Sequence, residues 1–158
     1  MEKFEFVEMT IPAKAEYIGV IRLSLSGIAN RMGFSYENIE DLKIAISEAI
    51  TNAVTHAYEK DEKGEIQIGF GIYEDRLEVM VADRGISFDV EEVRKKAGPY
   101  KRSKPVEDLQ EGGFGLFLID ALMDKVEIHD HSGIIIIMTK YINEAEVGLD
   151  GDQISTTS

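Results

Sequence analysis

The chain has 158 residues with 17 basic and 30 acidic side chains, so its formal net charge at pH 7 is −13, and it has no cysteine. One domain with a single hydrophobic core suits this length and the 44% hydrophobic content, whereas two complete enzyme domains would not fit. The lack of cysteine excludes disulfides, thiolate zinc sites and a cysteine nucleophile, and the negative charge argues against direct binding of nucleic acid or anionic membrane.

The first third of the chain is predicted to form a strand and two helices. The opening residues alternate in character up to Pro12, which predicts an edge strand rather than a secretory leader. With no run of about 18 apolar residues, we expect a cytoplasmic protein. Apolar residues at intervals of three and four predict a helix over 15–32 that Gly33 ends, and a second helix that Ser35 caps and that ends near Tyr58.

A hairpin and a long irregular segment follow. Residues 65–73 and 77–81 alternate between apolar and polar on either side of a turn at Glu74 and Asp75. In the segment after the hairpin, glycines, charged residues and prolines dominate, and one short helix is predicted near 90–97. Because irregular segments longer than roughly 12–15 residues in a compact domain are usually functional, we interpret about 89–111 as a lid.

The remaining pattern completes the fold class. It predicts a helix over 114–123, a short strand, and an apolar interior strand over 134–142. The acidic segment 143–158 is predicted to be a disordered tail. Helices combined with hairpins predict one α/β domain over 1–142, a two-layer sandwich with a mostly antiparallel sheet.

Three polar residues of the second helix could face one cavity. Glu48, Asn52 and His56 follow one another at intervals of four, and each such step turns the direction by only ~40° around an α-helix. The line therefore lies beside the apolar stripe of that helix. A solvated helix face explains the same spacing, so the line alone is weak evidence of a site.

Asp83 directly follows the second strand of the hairpin. A carboxylate at a strand end, with Gly85 two residues on, can approach a flat base closely and accept a hydrogen bond from an exocyclic amine such as that of adenine. An ordinary Asp-x-Gly turn is the alternative.

A glycine-rich run and a basic run are candidates for phosphate binding. The glycine-rich run directly precedes a helix, so its N–H groups could converge on an anion; it consists of Gly112, Gly113, Phe114, Gly115 and Leu116. The lid holds six basic residues and no acid between 94 and 104, including Lys101 and Arg102. A flexible loop and a solvated charged face are the alternatives, but such a lid could bring positive charge to a polyphosphate.

In chain order, these pieces resemble the N, G1 and G2 boxes of the GHKL ATP-binding superfamily, whose joint occurrence is far more specific than any one motif. The N box corresponds to Glu48 and Asn52, the G1 box begins at Asp83, and the G2 box is the glycine-rich run. Within the superfamily, roughly residues 3–142 are similar to the anti-sigma factor serine kinases. The resemblance implies the Bergerat-type ATP-binding fold and the use of ATP with Mg²⁺.

The resemblance also implies roles for residues of the second helix. Asn52 would hold Mg²⁺, and Glu48 would act as the base toward an attacking hydroxyl. His56, one helical turn after Asn52, is also expected to contact the nucleotide. Such a set is chemically consistent, because phosphoryl transfer needs a metal, phosphate-facing N–H groups and a positioned base.

For the base and phosphates, the resemblance implies a further set of contacts. Asp83 would bind the adenine amine, Gly85 would let the base approach, and Thr139 on the last strand would support the adenine. Ser87 replaces a second glycine of the usual G1 box, which puts the tightness of that turn in doubt. The G2 box would wrap the phosphates, and Lys101 and Arg102 would contact them from the lid.

The implied function is that of an anti-sigma factor and protein serine kinase. It would hold sigma-B inactive and transfer the γ-phosphoryl of ATP to a serine of the anti-anti-sigma factor RsbV. A histidine kinase is disfavoured because no histidine precedes the nucleotide domain. A nucleotide-sensing binding module without transfer remains the alternative. A homodimer is expected, and Arg22 on the first helix is a candidate contact for a protein partner.

Overall fold

The computed structural model describes residues 4–59, 64–83, 115–130 and 134–142. The lid with its short helix and the acidic tail lie outside these residues, and both stay predictions. The described elements are β1 (Phe4–Pro12), α1 (Ile18–Met32, preceded by a 3₁₀ turn at Ala15–Tyr17), α2 (Tyr36–Glu59), β2 (Glu65–Tyr73), β3 (Arg76–Ala82), α3 (Gly115–Leu122), β4 (Lys125–Asp130) and β5 (Ile134–Tyr141).

The strands form one five-stranded sheet in the order β1-β2-β3-β5-β4. Every neighbouring pair among the described strands is antiparallel. The predicted α/β class with an antiparallel sheet is therefore confirmed. β1 lies at an edge, as the alternation ending at Pro12 predicts, and the apolar strand β5 is interior because β3 and β4 flank it.

Local signals set the ends of the first two helices. Gly33 follows α1 with φ +97°, a left-handed conformation that glycine adopts without strain, and its N–H bonds back to the last turn. The side-chain oxygen of Ser35 accepts a hydrogen bond from the N–H of Asn38 at 3.2 Å, which caps α2. The predicted helix boundaries at Gly33 and Ser35 are thus confirmed.

The helices pack on one face of the sheet. α2 contacts α1 and α3 as well as β2, β3 and β5, so it forms the middle of the helix layer. Alternate residues of β3 point into this core, namely Leu77, Val79 and Val81. The other face of the sheet, which we call the outer face, carries a small second cluster around Met80 and Ile137.

In the part of the chain that the structure describes, no helix has both the length and the apolar character needed to cross a membrane.

Candidate functional site

The site begins on α2, where two polar residues interrupt a buried helix. Glu48 and Asn52 are half-buried and lie one turn apart, roughly 6 Å along the helix axis. Their neighbours Ala49 and Ile50 are fully buried in the core. The Nδ2 atom of Asn52 is buried and has no hydrogen-bond partner. Since nearly all buried polar groups are paired, an unpaired amide at this place suits contact with a ligand.

The glycine-rich run reaches this pair of residues through Gly115, the first residue of α3. A Cβ atom placed on Gly115 would lie 2.7 Å from Oε2 of Glu48 and 3.4 Å from Nδ2 of Asn52. The structure therefore brings together the only described glycine of the predicted G2 box and the two residues of the predicted N box.

Asp83 follows β3 at the edge of the core. Its side chain is 3% exposed, and it continues the alternation that turns Val79 and Val81 toward the helices. A carboxylate is rarely buried unless it is hydrogen-bonded or paired. Its position on the helix-covered face suits the predicted contact with a base bound between sheet and helices.

The register does not bring Thr139 to this place, which corrects the expectation that it supports the adenine. Thr139 pairs with Glu78, whereas Ile135 pairs with Ala82, the residue before Asp83. Thr139 thus lies about 17 Å along the strand from Asp83, at ~3.4 Å per residue. It also points to the outer face, because its neighbour Met138 points into the helix-covered core.

The remaining predicted site residues divide into two groups. Leu116 is buried in the core cluster, and Arg22 is exposed on α1 beside the exposed side chain of Leu23. The roles of the others stay predictions, because seven of them lie outside the described residues: Gly85, Ser87, Lys101, Arg102, Gly112, Gly113 and Phe114. The side chain of His56 lies outside the described part of the chain as well.

One contact at the far end of α3 was not anticipated. The Nζ group of Lys140 donates a hydrogen bond of 2.6 Å to the carbonyl oxygen of Leu122, at the C-terminus of α3. The backbone N–H of Tyr141 donates to Oδ2 of Asp124 at 2.7 Å. These bonds fix the C-terminal end of α3 to β5. A basic residue near the end of an apolar strand was the available signal.

The described residues suit a nucleotide with its magnesium ion, because the unpaired Nδ2 of Asn52 can donate to a phosphate oxygen and an amide oxygen is a ligand that Mg²⁺ accepts. The unpaired Nδ2 atom of Asn52 and the carboxylate of Glu48 both lie next to the side-chain-free space at Gly115. Mg²⁺ commonly takes one or two protein ligands and completes its shell with substrate phosphates and water. No group of three or more carboxylates or histidines that could hold an ion is found among the described residues.

Comparisons with known proteins identify the family of this chain. The family model described as "Histidine kinase-like ATPase domain" matches residues 11–140. Serine-protein kinase RsbW of Oceanobacillus iheyensis is 64% identical over 157 residues, which cover 99% of this chain and 99% of that protein. Serine-protein kinase RsbW of Bacillus cereus strain Q1 and of Bacillus anthracis strain A0248 are each 60% identical over 156 residues, 99% of this chain and 97% of each relative.

Proposed function

The chain belongs to the histidine kinase-like ATPase domain family, and from that premise we propose that it is an anti-sigma factor and protein serine kinase. It sequesters sigma-B, and it inactivates the anti-anti-sigma factor RsbV by phosphorylating a serine. Similarity to serine-protein kinases RsbW over nearly the whole chain supports this proposal. The observation that supports the roles of particular residues is the closeness of Gly115 to the Glu48 carboxylate and to the Asn52 amide.

The transfer step uses Glu48 as the general base. Its carboxylate accepts the proton of the serine hydroxyl as the serine oxygen bonds to the γ-phosphorus. The bond between that phosphorus and the β,γ-bridging oxygen breaks, and ADP keeps the electron pair. A positioned base of this kind contributes about 10²- to 10⁴-fold to a rate.

Asn52 and Asp83 position the nucleotide in this proposal. Asn52 would hold a Mg²⁺ ion through its side-chain amide oxygen, and the ion would neutralise charge on the phosphates. The buried carboxylate of Asp83 accepts a hydrogen bond from the exocyclic amine of adenine. The glycine-rich run and the basic residues of the lid contact the phosphates.

Charge explains how phosphorylation would change the choice of partner. A phosphoserine adds about −1.5 to −2 charges at pH 7. The kinase itself carries a net charge of −13, so the phosphorylated antagonist is repelled and leaves. The kinase is then free to bind sigma-B again.

Exposed apolar side chains on α1 suit contact with such partners. Leu23 is 76% exposed on α1 and Val20 is 48% exposed, with Arg22 between them in sequence. We assign this face of α1 to protein partners, and we expect a homodimer that acts in the cytoplasm without contacting DNA or membrane.

The proposal is tested by incubating the protein with Mg²⁺, γ-labelled ATP and purified RsbV. The expected result is label on one serine of RsbV, dependent on Mg²⁺, together with loss of RsbV binding by the phosphorylated product. Stable binding of ATP and RsbV without any transfer would contradict the kinase and would favour a nucleotide-sensing module, a function that the names of the relatives do not favour.

A further inference from the structure

Gly115 is buried at the start of α3, and its missing side chain leaves room for one particular group. An added Cβ would meet Glu48 twice, at 2.7 Å from Oε2 and at 3.5 Å from its Cβ. Side-chain carbons do not approach an oxygen as closely as 2.7 Å, so a methyl group and the carboxylate cannot occupy these positions together.

The backbone at Gly115 does not itself require glycine. Gly33 is the glycine of the described residues that has a positive φ, whereas Gly115 has the conformation of an α-helix, in which alanine is favoured over glycine. Gly64, by contrast, has no atom within 4 Å of the position that a methyl group would take, so open space surrounds it. The need for glycine at 115 therefore comes from space and not from conformation.

We propose that Gly115 is a positioning residue, which acts by leaving the Glu48 carboxylate in the place where it accepts the serine proton. This inference rests on the proposed function. The Oε2 atom is the far end of a flexible side chain, so a methyl group at residue 115 would move the carboxylate and leave the fold intact. The role differs from phosphate binding by a glycine-rich run, in which backbone approach is the reason for glycine and nucleotide affinity is what suffers.

The first experiment measures single-turnover transfer to RsbV and ATP affinity for the variant Gly115→Ala. We expect transfer to fall about 10²-fold, the usual consequence of moving a catalytic group by roughly 1 Å, while the Kd for ATP changes less than about twofold. Gly64→Ala is the matched control, since it adds the same methyl group in open space, and it should transfer at the wild-type rate. A larger loss of ATP binding than of transfer in Gly115→Ala would overturn the proposal.

The second experiment repeats Gly115→Ala in a Glu48→Ala background, where the carboxylate is gone. Transfer should fall no further, because two residues that act through one group are not additive. In the nucleotide-free protein, Gly115→Ala should raise the Tm by about 2 °C in the Glu48→Ala background, because alanine lowers the entropy of the unfolded chain. In the wild-type background the same substitution should give no such rise.

The outcomes separate this inference from the function on which it rests. If Glu48→Ala transfers at the wild-type rate, the proposed base is wrong. If Glu48→Ala loses transfer but Gly115→Ala keeps it, or if Gly115→Ala shifts the Tm equally in both backgrounds, only the positioning role is wrong.

Discussion

Two polar clusters differ in what surrounds their side chains. The hairpin cluster consists of Tyr73, Asp75, Arg76 and Glu78, and the site cluster consists of Glu48, Asn52, Asp83 and Gly115. In the hairpin cluster the Arg76 guanidinium lies 3.8 Å from the centre of the Tyr73 ring, 2.7 Å from an Asp75 oxygen and 3.4 Å from a Glu78 oxygen. In the site cluster the Asn52 amide nitrogen is buried without a partner.

The charged groups of the hairpin cluster stabilise the fold, whereas the Asn52 amide nitrogen of the site cluster is available to a ligand. Arg76 and Glu78 are 7% and 5% exposed, so both charges are removed from water, and each has the other as its partner. A buried amide without a partner costs about 1–3 kcal/mol of stability. The Asn52 amide also lies close to Glu48 and to Gly115 of the glycine-rich run, and this combination favours a binding role for the site cluster.

Removing the unpaired amide should affect transfer most. For Asn52→Ala we expect phosphoryl transfer to RsbV to fall roughly 10³-fold, because Mg²⁺ stabilisation of the transition state is worth several kcal/mol. The unfolding free energy should not fall by more than about 1 kcal/mol, since the deleted amide nitrogen has no partner to lose and its burial already costs stability. Chemical denaturation and a quenched-flow assay measure the two quantities, and a stability loss as large as that of Arg76→Ala would remove the distinction between the clusters.

Breaking the hairpin cluster should lower the stability of the fold and leave phosphoryl transfer unchanged. Arg76→Ala removes the guanidinium that lies against the buried Glu78 carboxylate, and we expect it to destabilise the fold by about 3 kcal/mol. The double variant Arg76→Met with Glu78→Leu should recover most of that loss, because it removes both charges. Transfer per folded molecule should match wild type in each, and a specific loss of kcat would assign the hairpin cluster a part in catalysis.

A smaller effect is expected at Asp83. Asp83→Asn replaces a charged acceptor with a neutral one, so ATP should bind about tenfold more weakly. Inosine triphosphate, which lacks the exocyclic amine, supplies the matched control: its affinity should be the same for both proteins. Equal weakening of the two nucleotides would show that Asp83 acts on the fold and not on the amine.

Much of this arrangement follows from local patterns in the sequence. Three- and four-residue spacing, Gly33 and Ser35 define α1 and α2, and strict alternation around Glu74 defines the hairpin. These signals depend on residues close together in sequence, so they can be recognised without knowledge of the tertiary fold. That Glu48 and Asn52 lie on the same side of α2 follows in the same way from the helical repeat, which is a local property of the chain.

The predictions that failed or were missing depend on contacts between distant segments. The direction of Thr139 could not be deduced, because four consecutive isoleucines from Ile134 to Ile137 hide which residues of β5 face the helices. The closeness of Gly115 to Glu48 joins residues far apart in sequence, and no pattern in either segment specifies that distance. The pairing of Arg76 with Glu78 is local, but its burial depends on the packing of the outer face.

Glu48→Gln tests the central claim most directly, because it removes the base and keeps the shape of the side chain. Single-turnover transfer of the γ-phosphoryl to RsbV should fall about 10²- to 10⁴-fold, while ATP affinity and Tm stay at their wild-type values. Glu37→Gln, an exposed position in the first turn of α2, is the control and should be fully active. Transfer at the wild-type rate by Glu48→Gln would contradict the account.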